Sequence, residues 1–547
     1  MSLLTHKKSL LVFGGVIIIG GIFFTLKANA TPAKTTVTQS INLSESTNLT
    51  SLDTSKITDG VSSAQLSQVD EGLYRLNQNS QPVNALATKT TITNHGKTYT
   101  IDLHHDGRWS NGQAVTAKDF VYSWKRTLNP KTKSEFTYLF TNIKNADTIA
   151  AGKKAPSTLG VKATGKYQLT ITLSKPAAYF KKLLASTTFY PLNQTAVKKY
   201  GRQYGTTSSK TVYNGPFVAT GWNGTNDSWT LKKNSDYRAK KVVKLKTIHY
   251  QVIKSGTTAY NLYQANKLDM VTLTGEQNIQ NQNNASLKTL AGGRVGFIQY
   301  NQKDKVAANR DLRTAISLAI NRDQLVNKVL ENGSVTAKSF GVSNMLKNPK
   351  TGKDFVTDAY TKNTVAYNLA AAKQLYATAK QQLHRSKLTL TITCADDDTS
   401  HQAAEFIQGQ LTSHLKGLTV NVRAMPFTSM LSKVSQGDFQ LNLTSWGMDF
   451  ADPTQALTIL TSHSNSNMGH YHSQAFDQAM AKAEGTDAMS ATARYQDLLT
   501  AAKTAMRDQA VTPLYESRSH ILVKSNLKGV VYNKFSGDMD FRTAYVK

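Results

Sequence analysis

The sequence contains a single cysteine, Cys394, among 547 residues. No intramolecular disulfide can form, and no C-x-x-C redox or zinc pair exists. A chain this long has core enough to do without the cross-links that small exported domains need. Acids are scarce as well: 35 Asp and Glu stand against 65 Lys and Arg, a formal net charge of +30. Long apolar runs are nearly missing. Residues 9–26 form one of 18 uncharged residues, and no second of that length follows. That excludes a multi-span membrane protein. Catalytic signatures are absent too: there is no G-x-S-x-G, no H-E-x-x-H and no P-loop. Cys394 ends an alternating strand pattern, where a small buried hydrophobe is a better account than a nucleophile.

The excess of positive charge brings nucleic acid to mind first. The lysines, however, are spread out as short pairs, 181–182, 198–199, 232–233 and 240–241. No basic block interleaves with stacking aromatics, so nucleic acid is set aside. A diffuse charge of this kind attracts anionic wall polymers or lipid headgroups, at long range and in a salt-sensitive way.

The single apolar run has a clear context. Lys7 and Lys8 precede it, and Lys27-Ala28-Asn29-Ala30 follows as an A-x-A cleavage pattern. Residues 1–30 therefore read as a secretory signal peptide. The competing reading is an uncleaved membrane anchor, since 18 residues is close to the lower limit for spanning. Removing Lys7, Lys8 and Lys27, with no acid among them, leaves a mature charge of +27. No cysteine lies near the cleavage pattern, so there is no site for lipoprotein acylation. The protein is expected to be secreted or held at the cell surface.

What is present is α/β patterning. In "DGRWSNGQAVTAKDFVYSWKR", residues 106–126, two turn signals precede a helix start at Thr116, with Asp119 completing a capping box. Phe120, Trp124 and Leu128 then give one apolar, aromatic face. Residues 99–103 and 167–173 alternate as strands. Residues 312–320 carry a helical stripe. A second helix starts at Asn321 and ends at Asn332-Gly333, with the glycine available as a left-handed cap. Residues 365–383 read as another helix. Strand 388–393, helix 401–415 and strand 418–422 then alternate, which argues for a partly parallel sheet.

Three polar clusters could carry chemistry. His463, His470 and His472 could hold a metal, but a polar loop explains them better. Asp396, Asp397 and Asp398 lack the spacing of a calcium loop and read as a turn capping the following helix. In "SWGMDFADPTQ", residues 445–455, Asp452 is explained as an N-cap, with Pro453 at the first helical position. Asp449, between Trp446 and Phe450, has no such explanation. Either it stands in water on a turn, or it awaits a cation such as a peptide's amino terminus.

Several motifs, taken in order, resemble a known family: "DEGLYRLN", "YTIDLHHDGRWSNGQAVTAKDFVYSWKRTLNP", "NGPFVATGW", "LKKNSDYRAKKVVKLKTIHYQVI", "NRDLRTAISLAINRDQLVNKVLENG", "SWGMDFADPTQAL" and "HYHSQAFDQAMAKA". Together they are similar to the extracellular oligopeptide-binding proteins of ABC importers, in the peptide/nickel solute-binding family. The resemblance implies an α/β, three-lobed periplasmic-binding-protein-like (type II) fold with mixed sheets and a hinge-closed cleft. Lobe I would comprise 31–71, 196–295 and 515–547, lobe II the insertion 72–195, and lobe III 296–514. It implies a peptide enclosed between lobes I and III, its main chain bound as an added strand and its side chains in hydrated pockets. Carried over by motif, Asp449 matches the acid that pairs with the ligand's ammonium. Asp59, Gly60 and Val61 match a segment whose backbone pairs with peptide, Phe136, Phe427 and Trp446 match aromatic positions, and His401 matches one near the ligand's carboxyl end. Leu330 and Leu443 stand where relatives place cations for a short peptide's carboxylate.

The expected protein is thus a monomeric binding protein without catalysis, cofactor or metal, whose partners are an oligopeptide and the membrane subunits of an ABC permease. The alternatives are a signalling peptide or another ligand, such as a nickel chelate or haem, and a surface adhesion protein that holds anionic polymers on the same fold. An extracellular hydrolase is a distant third.

Overall fold

Strand β1 (Ser40–Glu45) turns Ile41 and Leu43 inward and its intervening residues outward. Helix α1 (Gly60–Val69) follows, with Asp59 as its N-cap. The chain then leaves this layer to build an antiparallel sheet from β2 (Ala87–Thr93), β3 (Thr98–Leu103), β4 (Val161–Gly165) and β5 (Gln168–Thr172), in the order β2-β3-β5-β4. Helix α2 (Ala117–Leu128) covers it. The expected capping box is present: the Thr116 N–H donates to the Asp119 carboxylate at 2.7 Å. Phe120, Trp124 and Leu128 are fully buried. Trp124 meets Phe120, Phe140 and Phe189 edge-on, and its ring N–H donates to the Phe189 carbonyl at 2.9 Å. The aromatic stripe is therefore scaffold. Thr116→Ala is expected to lower stability by about 1 kcal/mol, read as a lower urea midpoint at unchanged slope.

The described residues of this computed structural model are 37–547, and 39–547 form one unit. The leader expected at 1–30 lies outside them. After the insertion the chain returns to β1's layer. Strands β6 (Phe217–Thr220), β7 (Ser228–Lys233) and β8 (Thr247–Val252) give a sheet of order β1-β8-β7-β6, with β1 and β8 parallel. The short β9 (Met270–Thr272) and the long β10 (Leu287–Tyr300) follow.

The remaining chain alternates strand and helix. It contains α3 (Arg310–Ala319), β11 (Leu388–Ala395), α4 (Asp398–His414), β12 (Leu418–Met425), α5 (Phe427–Ser435), β13 (Leu441–Gly447), α6 (Ala491–Arg507) and β14 (Val511–Val523). Its mixed sheet runs β9-β14-β10-β13-β11-β12. β11 is parallel to both β12 and β13, as strand–helix alternation requires. Cys394 is buried in the core here, and burial pushes its thiol up to about 11.

Three local expectations change. The helix after β11 begins at Asp398, not 401, because Asp397 caps it by accepting the Ser400 N–H at 3.0 Å. The helix from Asn321 turns into a π-helix over Leu325–Leu330, and Glu331 takes the left-handed closing position (φ 44°) in place of Gly333. The helix expected over 365–383 runs Leu369–Gln382.

β10 and β14 join two cores. Residues 287–291 pair with 518–522, against the layer of β1. Residues 295–299 pair with 511–516, within the strand–helix region. Between them the register breaks at Ala291/Val295, where Gly293 adopts φ +57°, a conformation glycine takes without strain.

Candidate functional site

The parallel strands β11, β12 and β13 all end at one edge of the mixed sheet. Beyond β11 lies His401 in the first turns of α4, beyond β12 lies Phe427 opening α5, and beyond β13 comes Met448-Asp449. The crevice past the carboxyl ends of parallel strands is where open α/β sheets receive ligands. A cavity of about 470 Å³ lies beside Asp449, its walls including Glu45, Gly60, Lys182, Tyr250 and Asp540.

Residues 446–452 are pinned one by one. The Trp446 ring N–H donates to the Gln455 carbonyl at 2.7 Å, and the Asp449 N–H donates to the Gln455 side-chain oxygen at 3.0 Å. Phe450 enters the core of residues 73–189 and stacks on Tyr179 at 4.8 Å. Lys182 donates to the Ala451 carbonyl at 2.5 Å and to that of Met345 at 3.3 Å. Asp452 accepts two bonds from Arg494, at 2.7 and 3.0 Å, and also the Thr454 N–H at 3.1 Å. The helix expected to start at Pro453 begins at Thr454, with Pro453 in the cap position and Asp452 still accepting the Thr454 N–H.

The Asp449 carboxylate alone in this stretch lacks a strong partner. It faces the cleft and accepts one bond, from the Tyr138 hydroxyl at 3.1 Å. The protein around it raises its pKa above the usual carboxylate range, and the Tyr138 bond opposes this only in part. Such a carboxylate gains from a cation that supplies charge and several donors.

The other expected residues are distributed unevenly. Gly60 lines the cavity, and a Cβ there would meet no atom within 4 Å. Asp59 is committed elsewhere: it accepts the Ser62 N–H at 2.7 Å, the Ser62 hydroxyl at 2.8 Å and the Thr50 hydroxyl. Val61 packs half-buried against the core beneath. Residues 59–61 are thus a cap and a first helical turn, not an extended edge ready to pair with an added strand. Phe136 is wedged half-buried between two cores. Trp446 packs half-buried, Phe427 is 56% exposed, and His401 stands 3.8 Å from Glu405 near the surface. None of these four lines the cavity. Leu443 is buried in the strand–helix core and Leu330 packs against it, so neither lines the cavity.

Sequence reasoning missed Glu45. The signal was there: Ile41, Leu43 and Glu45 occupy one face of β1, so an acid stands where the alternation calls for an apolar residue. Burial raises its carboxyl to about 7, Asp59 adds to this, and Gln65 opposes it. A folded-state pKa above the unfolded one means the native protein resists ionisation. Glu45 therefore costs stability progressively as pH rises from the ordinary glutamate range through about 7. Glu45→Gln is expected to raise Tm by a few degrees at about pH 8 and to leave it unchanged at about pH 4, checked by calorimetry.

Known proteins share this architecture. A dipeptide-binding protein of Lactococcus lactis is 36% identical, over 97% of this chain and 98% of its own length. The peptide-bound OppA of Listeria monocytogenes is 34% identical and superposes with a TM-score of 0.74, over 93% of this chain and 99% of that one. The substrate-binding domain of an oligopeptide ABC transporter from Bacillus anthracis is 36% identical, with a TM-score of 0.75 over 93% and 99%. The fold is accordingly the type II periplasmic-binding-protein-like one. The family description that matches residues 81–468 is that of bacterial extracellular solute-binding proteins, family 5, and to that family the chain belongs.

Proposed function

We propose that the protein captures oligopeptides outside the cell and presents them to an ABC importer, with no chemistry of its own. The observation that carries this is Asp449, a carboxylate open to a 470 Å³ cavity and held, among the described residues, only by a tyrosine hydroxyl. A peptide's α-ammonium would enter beside Tyr138 and complete the carboxylate's hydrogen bonds. The rest of the peptide would lie in the cavity, with Gly60 leaving room for its backbone. Phe427, Trp446 and His401, which do not line the cavity in this structure, would come to face it from the carboxyl edge of the sheet on closure. Closure would bend β10 and β14 at the break beside Gly293, the two strands that join the cores.

Three lobes, 31–71 with 196–295 and 515–547, then 72–195, then 296–514, follow from this reading. So does a secreted or surface-held monomer that partners the permease. The charge suits retention by anionic wall polymers: residues 72–195 hold 17 Lys and Arg against 5 Asp and Glu.

The test is native mass spectrometry of protein purified from its own cells, with sequencing of whatever denaturation releases. Released peptides support the reading. An empty protein that also shows no thermal shift with a peptide library overturns it.

A further inference from the structure

The cavity is acidic in a basic protein. Four carboxylates, Glu45, Asp449, Asp538 and Asp540, and two cations, Arg75 and Lys182, line it. Both cations are committed. Arg75 lies 3.3 Å from Glu71 and 3.5 Å from Asp540, and Lys182 is bound to two carbonyls. One of the other carboxylates is committed too: Asp540 also accepts the Arg542 N–H at 2.8 Å. Asp538 accepts only the Ser536 hydroxyl at 2.6 Å among the described residues, but it is exposed to water.

Glu45 differs. Among the described residues its one side-chain hydrogen bond is from the Gln65 amide at 3.5 Å, the outer limit of such a bond. Gln65 is itself oriented by the Trp229 ring N–H, which donates to its carbonyl at 3.0 Å and so aims its NH₂ at Glu45. No described cation forms an ion pair with Glu45. Leu43, Tyr250, Met270 and Ile521 belong to the same wall. An aliphatic and aromatic wall that ends in a lone carboxylate suits a long side chain with an apolar stem and a cationic head.

We propose that Glu45 forms a second ligand subsite, which receives a lysine or arginine side chain of the peptide whose amino terminus is held at Asp449. The inference rests on the peptide-capture reading and adds a side-chain preference to it. A roomy, hydrated cleft tolerates most sequences, and one under-partnered carboxylate on its wall introduces a bias.

The experiment is isothermal titration of the wild-type protein, Glu45→Gln and Glu45→Asp with two sets of hexapeptides. Each is all alanine save one lysine, or one glutamine, placed in turn at every position after the first. At one position lysine is expected to bind about tenfold or more tighter than glutamine to the wild type. Glu45→Gln brings that ratio close to unity and leaves the glutamine peptides unaffected, which shows the cleft intact. Glu45→Asp keeps part of the preference. A lysine preference found at no position, or one that survives in Glu45→Gln, overturns the subsite and leaves peptide capture standing. If no peptide of either set binds the wild type, capture itself falls and the subsite with it.

Discussion

Asp449→Asn is expected to weaken binding of a free-amine peptide by about two to four orders of magnitude, and to leave the N-acetylated form of that peptide almost unaffected. Asparagine keeps the size of the side chain and an acceptor for the Tyr138 hydroxyl, 3.1 Å away in the wild type. It removes only the charge. An ammonium drawn from water into the cleft then finds dipoles where it needs a counter-ion, and the loss is that of a broken enclosed ion pair, about 3–5 kcal/mol. The acetylated peptide carries no charge at that end and has nothing to lose.

The pH dependence has a definite sign. The surrounding protein raises the Asp449 pKa, so its charged form is lost at a pH above the usual carboxylate range. Affinity for free-amine peptides should therefore decline on acidification sooner than an ordinary aspartate would allow, and Asp449→Asn should flatten the decline. Titration calorimetry of the peptide pair across pH measures both. Equal losses for the two peptides would remove Asp449 from the role.

Much of the architecture is legible locally. The Thr116–Asp119 box and the Phe120–Trp124–Leu128 stripe depend on neighbours within two turns of helix, and both are present. The parallel pairing of β11 with β12 follows from one helix between two strands. Asp449 stands out because the neighbouring acid, Asp452, has a structural reason at a helix start and Asp449 has none.

What was hidden depends on distant partners. Phe450, in sequence only a neighbour of Asp449, is a plug in the core of residues 73–189, and nothing in its own segment announces Tyr179. The resemblance places the backbone of residues 59–61 at the ligand, and the Ser62 N–H, three residues on, shows what the Asp59 side chain does instead: it caps a helix. Glu45 is legible from the alternation of β1, which puts it on the face of Ile41 and Leu43, although an acid at a strand end ordinarily faces water. The break in β10 at Gly293 depends on a partner strand far along the chain, which no local pattern specifies.

Glu71→Gln is expected to cost about 3–5 kcal/mol of stability. Glu71 is fully buried where the chain passes from α1 into the core of residues 73–189. One carboxylate oxygen accepts from the Tyr237 hydroxyl at 2.5 Å and from Arg75 Nε at 3.3 Å, and the other accepts from Arg238 Nε at 3.0 Å. Arg238 reaches on to the Ala85 carbonyl at 2.5 Å, so one acid fastens the insertion to the layer of β1. The glutamine amide is neutral and offers only one oxygen. It leaves two enclosed guanidinium groups short of a counter-charge, Arg75 keeping an ion pair with Asp540 at 3.5 Å. Burying a cation without its partner is the costly case, whereas removing both partners is mild. The double variant Glu71→Gln with Arg238→Met should accordingly recover part of the loss. Urea unfolding of the three proteins decides the matter. A loss below about 1 kcal/mol for Glu71→Gln would show a pair worth no more than one on the surface, and would mean that apolar packing alone holds the insertion in place.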